Sequence, residues 1–133
     1  MKQQIIHTDN APKAIGPYAQ ATAYDKLIFT SGQLPIDPKT GEFVKGGIEE
    51  QTRQSLLNLK EILLAAGSSL DCVLKTNVFL NSMDDFAAMN KVYSEFFTQE
   101  YPARSAVQVA KLPKDALVEI EAVAYRKDGI EKN

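Results

Sequence analysis

The chain has little of the side-chain chemistry on which most metal and nucleophile sites are built. Its 133 residues include one cysteine, Cys72, one histidine, His7, and no tryptophan. A single cysteine excludes an internal disulfide, and a single histidine excludes any site that needs paired imidazoles. Neither a zinc cluster nor a Ser-His-Asp nucleophile is expected, since His7 stands in the N-terminal segment without an evident partner. Excess basic charge is also missing: 15 Lys and Arg against 17 Asp and Glu leave a formal charge of -2. That balance offers no field for nucleic acid and no polybasic patch for a membrane. No apolar run is long enough to span a bilayer, and the start, Met1-Lys2-Gln3-Gln4, carries no signal-peptide pattern, so a cytoplasmic location is expected. Carboxylates, arginine, tyrosine, hydroxyls and backbone groups are left to do any chemistry.

What is present is ordinary for a globular domain. A hydrophobic fraction of 44% and a charged fraction of 24% over this length predict a single domain, 1–133, with one core and a loose polar tail at 127–133. Residues 3 to 6 read as a short strand. Tyr18 to Tyr24 alternates, with Ala19, Ala21 and Ala23 on one face, and Asp25-Lys26 turns the chain into a returning strand, Leu27 to Ser31. Two prolines and a glycine between Leu34 and Glu42 give a loop with a turn at Asp37 to Gly41. A helix is predicted from Ile48 to Ala66, striped by Ile48, Thr52, Leu56, Leu59 and Leu63 and widened by Leu57 and Leu64, with Gly67 closing it. Cys72 to Leu80 is the next strand. A second helix follows, capped by Ser82 and striped by Phe86, Met89, Tyr93, Phe96 and Phe97, with Asn90 at the shoulder.

The stretch from Pro102 to Ala124 reads as two alternating strands joined by a turn at Leu112-Pro113-Lys114-Asp115. Period-two alternation sets Ser105, Val107 and Val109 against Arg104, Ala106 and Gln108 on the first strand. On the second it sets Val118, Ile120, Ala122 and Ala124 against Leu117, Glu119, Glu121 and Val123. A hairpin here brings Arg104 and Glu119 to similar heights on one side, either as an ion pair or facing a small charged molecule. The order β-β-β-α-β-α-β-β predicts an α+β domain with two helices on one face of a mixed sheet. The other face, holding Arg104, Glu119, Glu121, Leu117 and Val123, is too apolar to stay wet and is expected to be covered by self-association.

These residues also resemble a known family. Gly16-Pro17-Tyr18, Ser31-Gly32-Gln33, the run Asp85-Phe86-Ala87 with Asn90 and Tyr93, Pro102-Ala103-Arg104-Ser105, Leu112-Pro113 and Glu119-Ile120-Glu121 occur in the order and spacing of the RidA (YjgF-type) reactive intermediate deaminases. The resemblance runs from the first strand to Tyr125. It implies a chorismate-mutase-like fold, a homotrimer whose sheets close into a barrel, and clefts between subunits. It further implies hydrolysis of 2-imino acids such as 2-iminobutanoate and 2-iminopropanoate, released by pyridoxal-phosphate-dependent dehydratases, to 2-oxo acids and ammonia, with no cofactor and no metal.

The residue chemistry agrees with that implication. Arg104 suits a carboxylate, through two parallel hydrogen bonds. Glu119 suits a water aimed at the imine carbon. The Ala106 carbonyl is placed to accept from the imine nitrogen, and Tyr18, Ser31, Gly32 and Asn90 complete the cleft by family correspondence. Family members often have cysteine at the position of Ala106, so thiol chemistry there is absent from this chain. Two other functions remain open: a non-catalytic regulator that binds small carboxylates such as 2-oxo acids, and a nucleic-acid-acting protein, against which the acidic balance and the missing Lys/Arg stripe both speak. Glu121 reads as structural, Cys72 as a buried small hydrophobe and His7 as a surface residue.

Overall fold

The computed structural model describes residues 2–127. The tail expected at 127–133 lies outside the described residues beyond Lys127. Six strands and two α-helices are laid down in the order β1 (Gln4–Ile6), β2 (Ala21–Tyr24), β3 (Leu27–Thr30), α1 (Ile48–Ala65), β4 (Val73–Leu80), α2 (Phe86–Phe96), β5 (Ala103–Gln108) and β6 (Val118–Tyr125). They form one mixed sheet in the spatial order β1-β2-β3-β6-β4-β5. Both helices lie on one face, as the pattern of charges and leucines requires, and no helix among the described residues is long and apolar enough to cross a membrane.

The core is the layer between that face and the helices. Ile28, Val78, Leu80, Val118, Ile120 and Ala124 from the sheet are fully buried against Leu56, Leu59, Ile62 and Leu63 of α1 and Met89 of α2. The small side chains Ala21 and Ala23 let β2 sit close beneath this layer. Helix α1 starts where Gly47 donates its N–H to Glu50 Oε1 at 2.8 Å, and it ends at Gly67, whose φ of 82° closes the last turn. Ser82 caps the short 3₁₀ turn that leads into α2, accepting from the Asp84 N–H at 3.1 Å. Cys72 is buried and His7 exposed, as expected.

Four expectations are corrected. The strands containing Arg104 and Glu119 do not form a hairpin: β4 lies between them, antiparallel to β6 and parallel to β5. The long β4, already paired on both sides along its length, offers more ladder bonds than a direct β5–β6 pairing, and the chain between β5 and β6 crosses the end of β4 instead. On β5 the faces are exchanged, so Arg104 and Ala106 lie toward the helices while Val107 is exposed. Leu57 and Leu64 do not widen the stripe of α1; both stand in solvent at 38% and 48% exposure, because α2 and β6 already fill the buried side of that helix. The second strand is shorter than expected, and Tyr18 precedes it in a loop.

The face away from the helices is open. Register places Phe29, Val123, Lys75 and Ala103 in one row across it, with Leu27 and Tyr125 in another. Phe29, Leu27, Val107 and Tyr125 are each between 40% and 47% exposed there.

Because β6 is central and Ile120 sits between both helices and the sheet, Ile120→Ala should cost about 2–5 kcal/mol of unfolding free energy. Denaturant titration followed by circular dichroism measures this, and a loss below about 1 kcal/mol would show that the core is not organised around β6.

Candidate active site

Glu119 stands on β6 with its side chain on the open face, because its neighbours Val118 and Ile120 are both fully buried on the other. It lines a cleft of about 370 Å³ whose walls include Tyr18, Ser31, Gly32, Ile15, Leu34 and Pro113. Gly32 makes the approach possible: a Cβ on that residue would come within 2.5 Å of Glu119 Oε2. The carboxylate is half-buried and has no hydrogen-bond or ion-pair partner among the described residues. Burial first, and the neighbouring Glu121 carboxylate second, push it above the ordinary carboxylate range. Glu121 itself is held by Asn77, whose Nδ2 donates to Oε2 at 3.0 Å.

The loop that forms the far wall is tied down by one side chain. Gln20, 3% exposed, accepts from the Thr8 N–H at 2.7 Å and donates to the carbonyls of Thr8 at 3.0 Å and Pro12 at 2.8 Å. This bracket fixes the chain between His7 and Tyr18 against β2 and so fixes the cleft wall. Sequence reasoning missed it; a glutamine beside alternating alanines carries no signal of its own. Ser31 donates its hydroxyl to the Ala19 carbonyl at 2.6 Å, which satisfies its donor and leaves its lone pairs toward the cleft. Tyr18 is 53% exposed, and its hydroxyl has no partner among the described residues.

Arg104 lies elsewhere. Its guanidinium rests on α2, 4.7 Å from the Tyr93 ring centroid and 5.4 Å from that of Phe86, and Nη1 donates to Asn90 Oδ1 at 2.6 Å. Phe86, Asn90 and Tyr93 are spaced four and three residues apart, so one face of α2 carries the whole cradle. Tyr93 is held in turn by Thr76, with 2.8 Å between the two hydroxyl oxygens. Asn90 therefore orients the arginine, while Nε and Nη2 stay unbonded among the described residues. A second cleft of about 390 Å³, lined by Asn90, Tyr93, Ser94, Tyr101, Pro102 and Arg104, opens beside it.

Ala106 sits on the same strand. Residue by residue, the N–H and C=O groups of a strand alternate between its two sides. The Val109 N–H bonds the Leu80 carbonyl on β4 at 2.9 Å, so Ser105 and Val107 face β4 and the Ala106 carbonyl faces the free edge of the sheet.

The expected site residues thus fall into two groups. Tyr18, Ser31, Gly32 and Glu119 meet in one cleft; Arg104, Asn90 and the Ala106 carbonyl meet at the β5 edge. Register sets Arg104 level with Thr76 and Glu119 level with Phe79. The two are therefore separated by about 10 Å across the sheet and about 10 Å along it, on opposite faces. Within one chain they do not meet.

Comparison with known proteins gives the family. Residues 8–126 match the family model described as Endoribonuclease L-PSP. A RutC family protein of Pyrococcus horikoshii is 58% identical over 125 residues, covering 94% of this chain and 99% of that protein. A goat (Capra hircus) protein named 2-iminobutanoate/2-iminopropanoate deaminase is 50% identical, covering 93% of this chain and 90% of its own. The crystal structure of E. coli TdcF with bound serine superposes with a TM-score of 0.89 at 48% identity, over 93% of this chain and 99% of that one. With a full-length fold match and half its residues shared with such relatives, this chain belongs to the RidA (YjgF-type) family.

Proposed function

We propose that the protein is a 2-imino acid deaminase whose site is assembled between copies of the chain in a homotrimer. The observation that carries this reading is the half-buried, unpartnered Glu119 carboxylate in a cleft of small-molecule size. The deaminase name of the goat relative and the amino acid bound to TdcF support it. An edge strand carrying Arg104 and the Ala106 carbonyl, docked over the Glu119 cleft of a neighbouring copy, makes a head-to-tail contact that closes into a ring. The exposed Leu27, Phe29, Val107 and Tyr125 supply apolar surface for that closure.

In this arrangement the two free donor positions of Arg104 grip the substrate carboxylate. The Ala106 carbonyl accepts from the iminium N–H and keeps the nitrogen protonated, hence the carbon electrophilic. Glu119 takes a proton from water as the oxygen adds to that carbon. The same carboxyl returns that proton to nitrogen and then takes the remaining hydroxyl proton as the C–N bond breaks and the C=O bond forms; the 2-oxo acid leaves, and the last proton passes from Glu119 to the departing ammonia, which leaves as ammonium. The raised pKa of Glu119 makes it a stronger base than a solvated glutamate. The chain's own residues and water account for every atom. The endoribonuclease description of the family has less support here, since the cleft of about 370 Å³ is of small-molecule size, with Tyr18 its one aromatic wall residue, and the formal charge of -2 gives a long strand of RNA no net basic field.

Three outcomes follow, each read from 2-oxobutanoate release in a threonine dehydratase reaction with semicarbazide as competing trap. Glu119→Gln should lower kcat/KM about 10²–10⁴-fold while binding of 2-oxobutanoate persists; undiminished turnover would remove Glu119 from the mechanism, and a regulator without catalysis would show binding and no turnover even in the wild type. Arg104→Lys should raise KM about tenfold or more by losing the planar fork, and an unchanged KM would mean the carboxylate is held elsewhere. The rate should fall as pH drops through the raised pKa of Glu119, so the acid limb lies above the ordinary carboxylate range. Removing the neighbouring negative charge with Glu121→Gln favours the Glu119 anion and should move that limb downward; an upward shift or none would contradict the electrostatic cause.

A further inference from the structure

The mouth of the Glu119 cleft is basic in a chain whose formal charge is -2. Lys13 and Lys114 line the cleft, and the same two lysines, with Lys39, line a groove of about 300 Å³ that continues it past Pro12 and Ile15. None of the three has an ion-pair partner among the described residues. The nearby acids are engaged elsewhere: the Asp37 carboxylate accepts from the Lys39 backbone N–H at 2.8 Å, and Asp115 lies 3.8 Å from Lys111. Among the described residues, Glu119 is the only acidic side chain lining either the cleft or the groove.

Lys114 is held there at a conformational cost. Lys114 and Asp115 adopt φ of 55° and 58°, the left-handed region that residues with a Cβ avoid. The turn is pinned at both ends by buried Leu112 and Ala116, and the Ala116 N–H closes it on the Pro113 carbonyl at 3.1 Å. A turn kept in this conformation fixes where the Lys114 side chain leaves the backbone, at the cleft wall.

We propose that Lys13, Lys39 and Lys114 form an electrostatic funnel that draws small carboxylate anions to the Glu119 cleft, governing capture of substrate and leaving the chemical step alone. The inference rests on the deaminase reading of that cleft. Its logic is kinetic. An imine decays in water unaided, so an enzyme that intercepts it gains from rapid capture, and a positively lined cleft raises local anion concentration and association rates by about 10–10³. The lysines do this without touching the reacting atoms. Salt erases the effect, because the screening length falls from about 30 Å at 0.01 M to about 3 Å at 1 M.

The test compares wild type with Lys13→Gln/Lys39→Gln/Lys114→Gln across that range of ionic strength, reading both kcat/KM for imine hydrolysis and the affinity for 2-oxobutanoate by NMR titration. A second triple variant, Lys2→Gln/Lys60→Gln/Lys91→Gln, makes the same change in net charge away from the cleft. Wild-type kcat/KM should fall about tenfold or more with salt. The cleft variant should start near the wild type's high-salt value and stay flat, with kcat held, and the distant variant should keep the wild-type slope. Equal slopes in wild type and cleft variant would overturn the funnel, as would a distant variant that flattens equally. The 2-oxobutanoate titration reads the funnel without turnover, so a protein that binds with the predicted salt dependence but hydrolyses no imine would sink the deaminase reading and leave the funnel standing.

Discussion

The main-chain ladder that inserts β4 between β5 and β6 is the constraint on which the rest depends. Strand pairing fixes which residues stand level, and the two-residue period of a strand then fixes the face each side chain takes. Ile120 and Val118 must enter the core, so Glu119 must leave it. Thr76 and Ala122 lie on the helix side, so Arg104, level with both, lies there too and finds the aromatic faces of α2. No rotamer change brings the two charges together through a paired sheet. The separation is a property of the backbone, and the proposed intersubunit site is the arrangement that would bring the two together.

The same geometry explains why the Glu119 carboxylate stands unpaired in its cleft. Glu119 is crowded by Gly32 and by loop residues that Gln20 holds in place, and no donor among the described residues satisfies its carboxylate. In the folded chain this raises the proton affinity of Glu119, which opposes folding once the group ionises and is relieved as pH falls below the raised pKa. Glutamine at that position removes the opposing charge, so a fold that stays intact separates the loss of a base from the loss of structure. Arg104 is treated in the opposite way: its flat faces are supported by Tyr93 and Phe86 and one donor is spent on Asn90, which holds the fork still while leaving it open. The carboxylate is left unsatisfied and the guanidinium is rigidly presented.

Much of this was legible in the chain. The helices, the left-handed Gly67 that closes α1, and the buried set Val118, Ile120, Ala122 and Ala124 follow from periodicity and turn chemistry alone, whereas Ser82, expected to cap the second helix, caps the 3₁₀ turn before it and leaves Asp85 at the N-cap of α2. Asn90, expected at the shoulder of the second helix's stripe, accepts a hydrogen bond from Arg104 there. What failed was pairing. Two alternating strands with a proline turn between them look like a hairpin, because local sequence carries no record of a third strand laid between them 25 to 30 residues earlier in the chain. That error put Arg104 and Glu119 on one face, where the structure sets them on opposite faces. Lys114 was seen only as part of a turn, since its left-handed backbone is imposed by the buried Leu112 and Ala116 on either side.

The most direct test of a site shared between copies is complementation. Arg104→Ala and Glu119→Gln chains, each inactive alone, are mixed, unfolded and refolded together, and assayed for imine hydrolysis after native mass spectrometry has confirmed mixed oligomers. A site built from two chains predicts that roughly one interface in four regains both residues, with activity restored to about that fraction of wild type. Mixed oligomers that remain inactive would mean that Arg104 and Glu119 must come from one chain, and would contradict the intersubunit site.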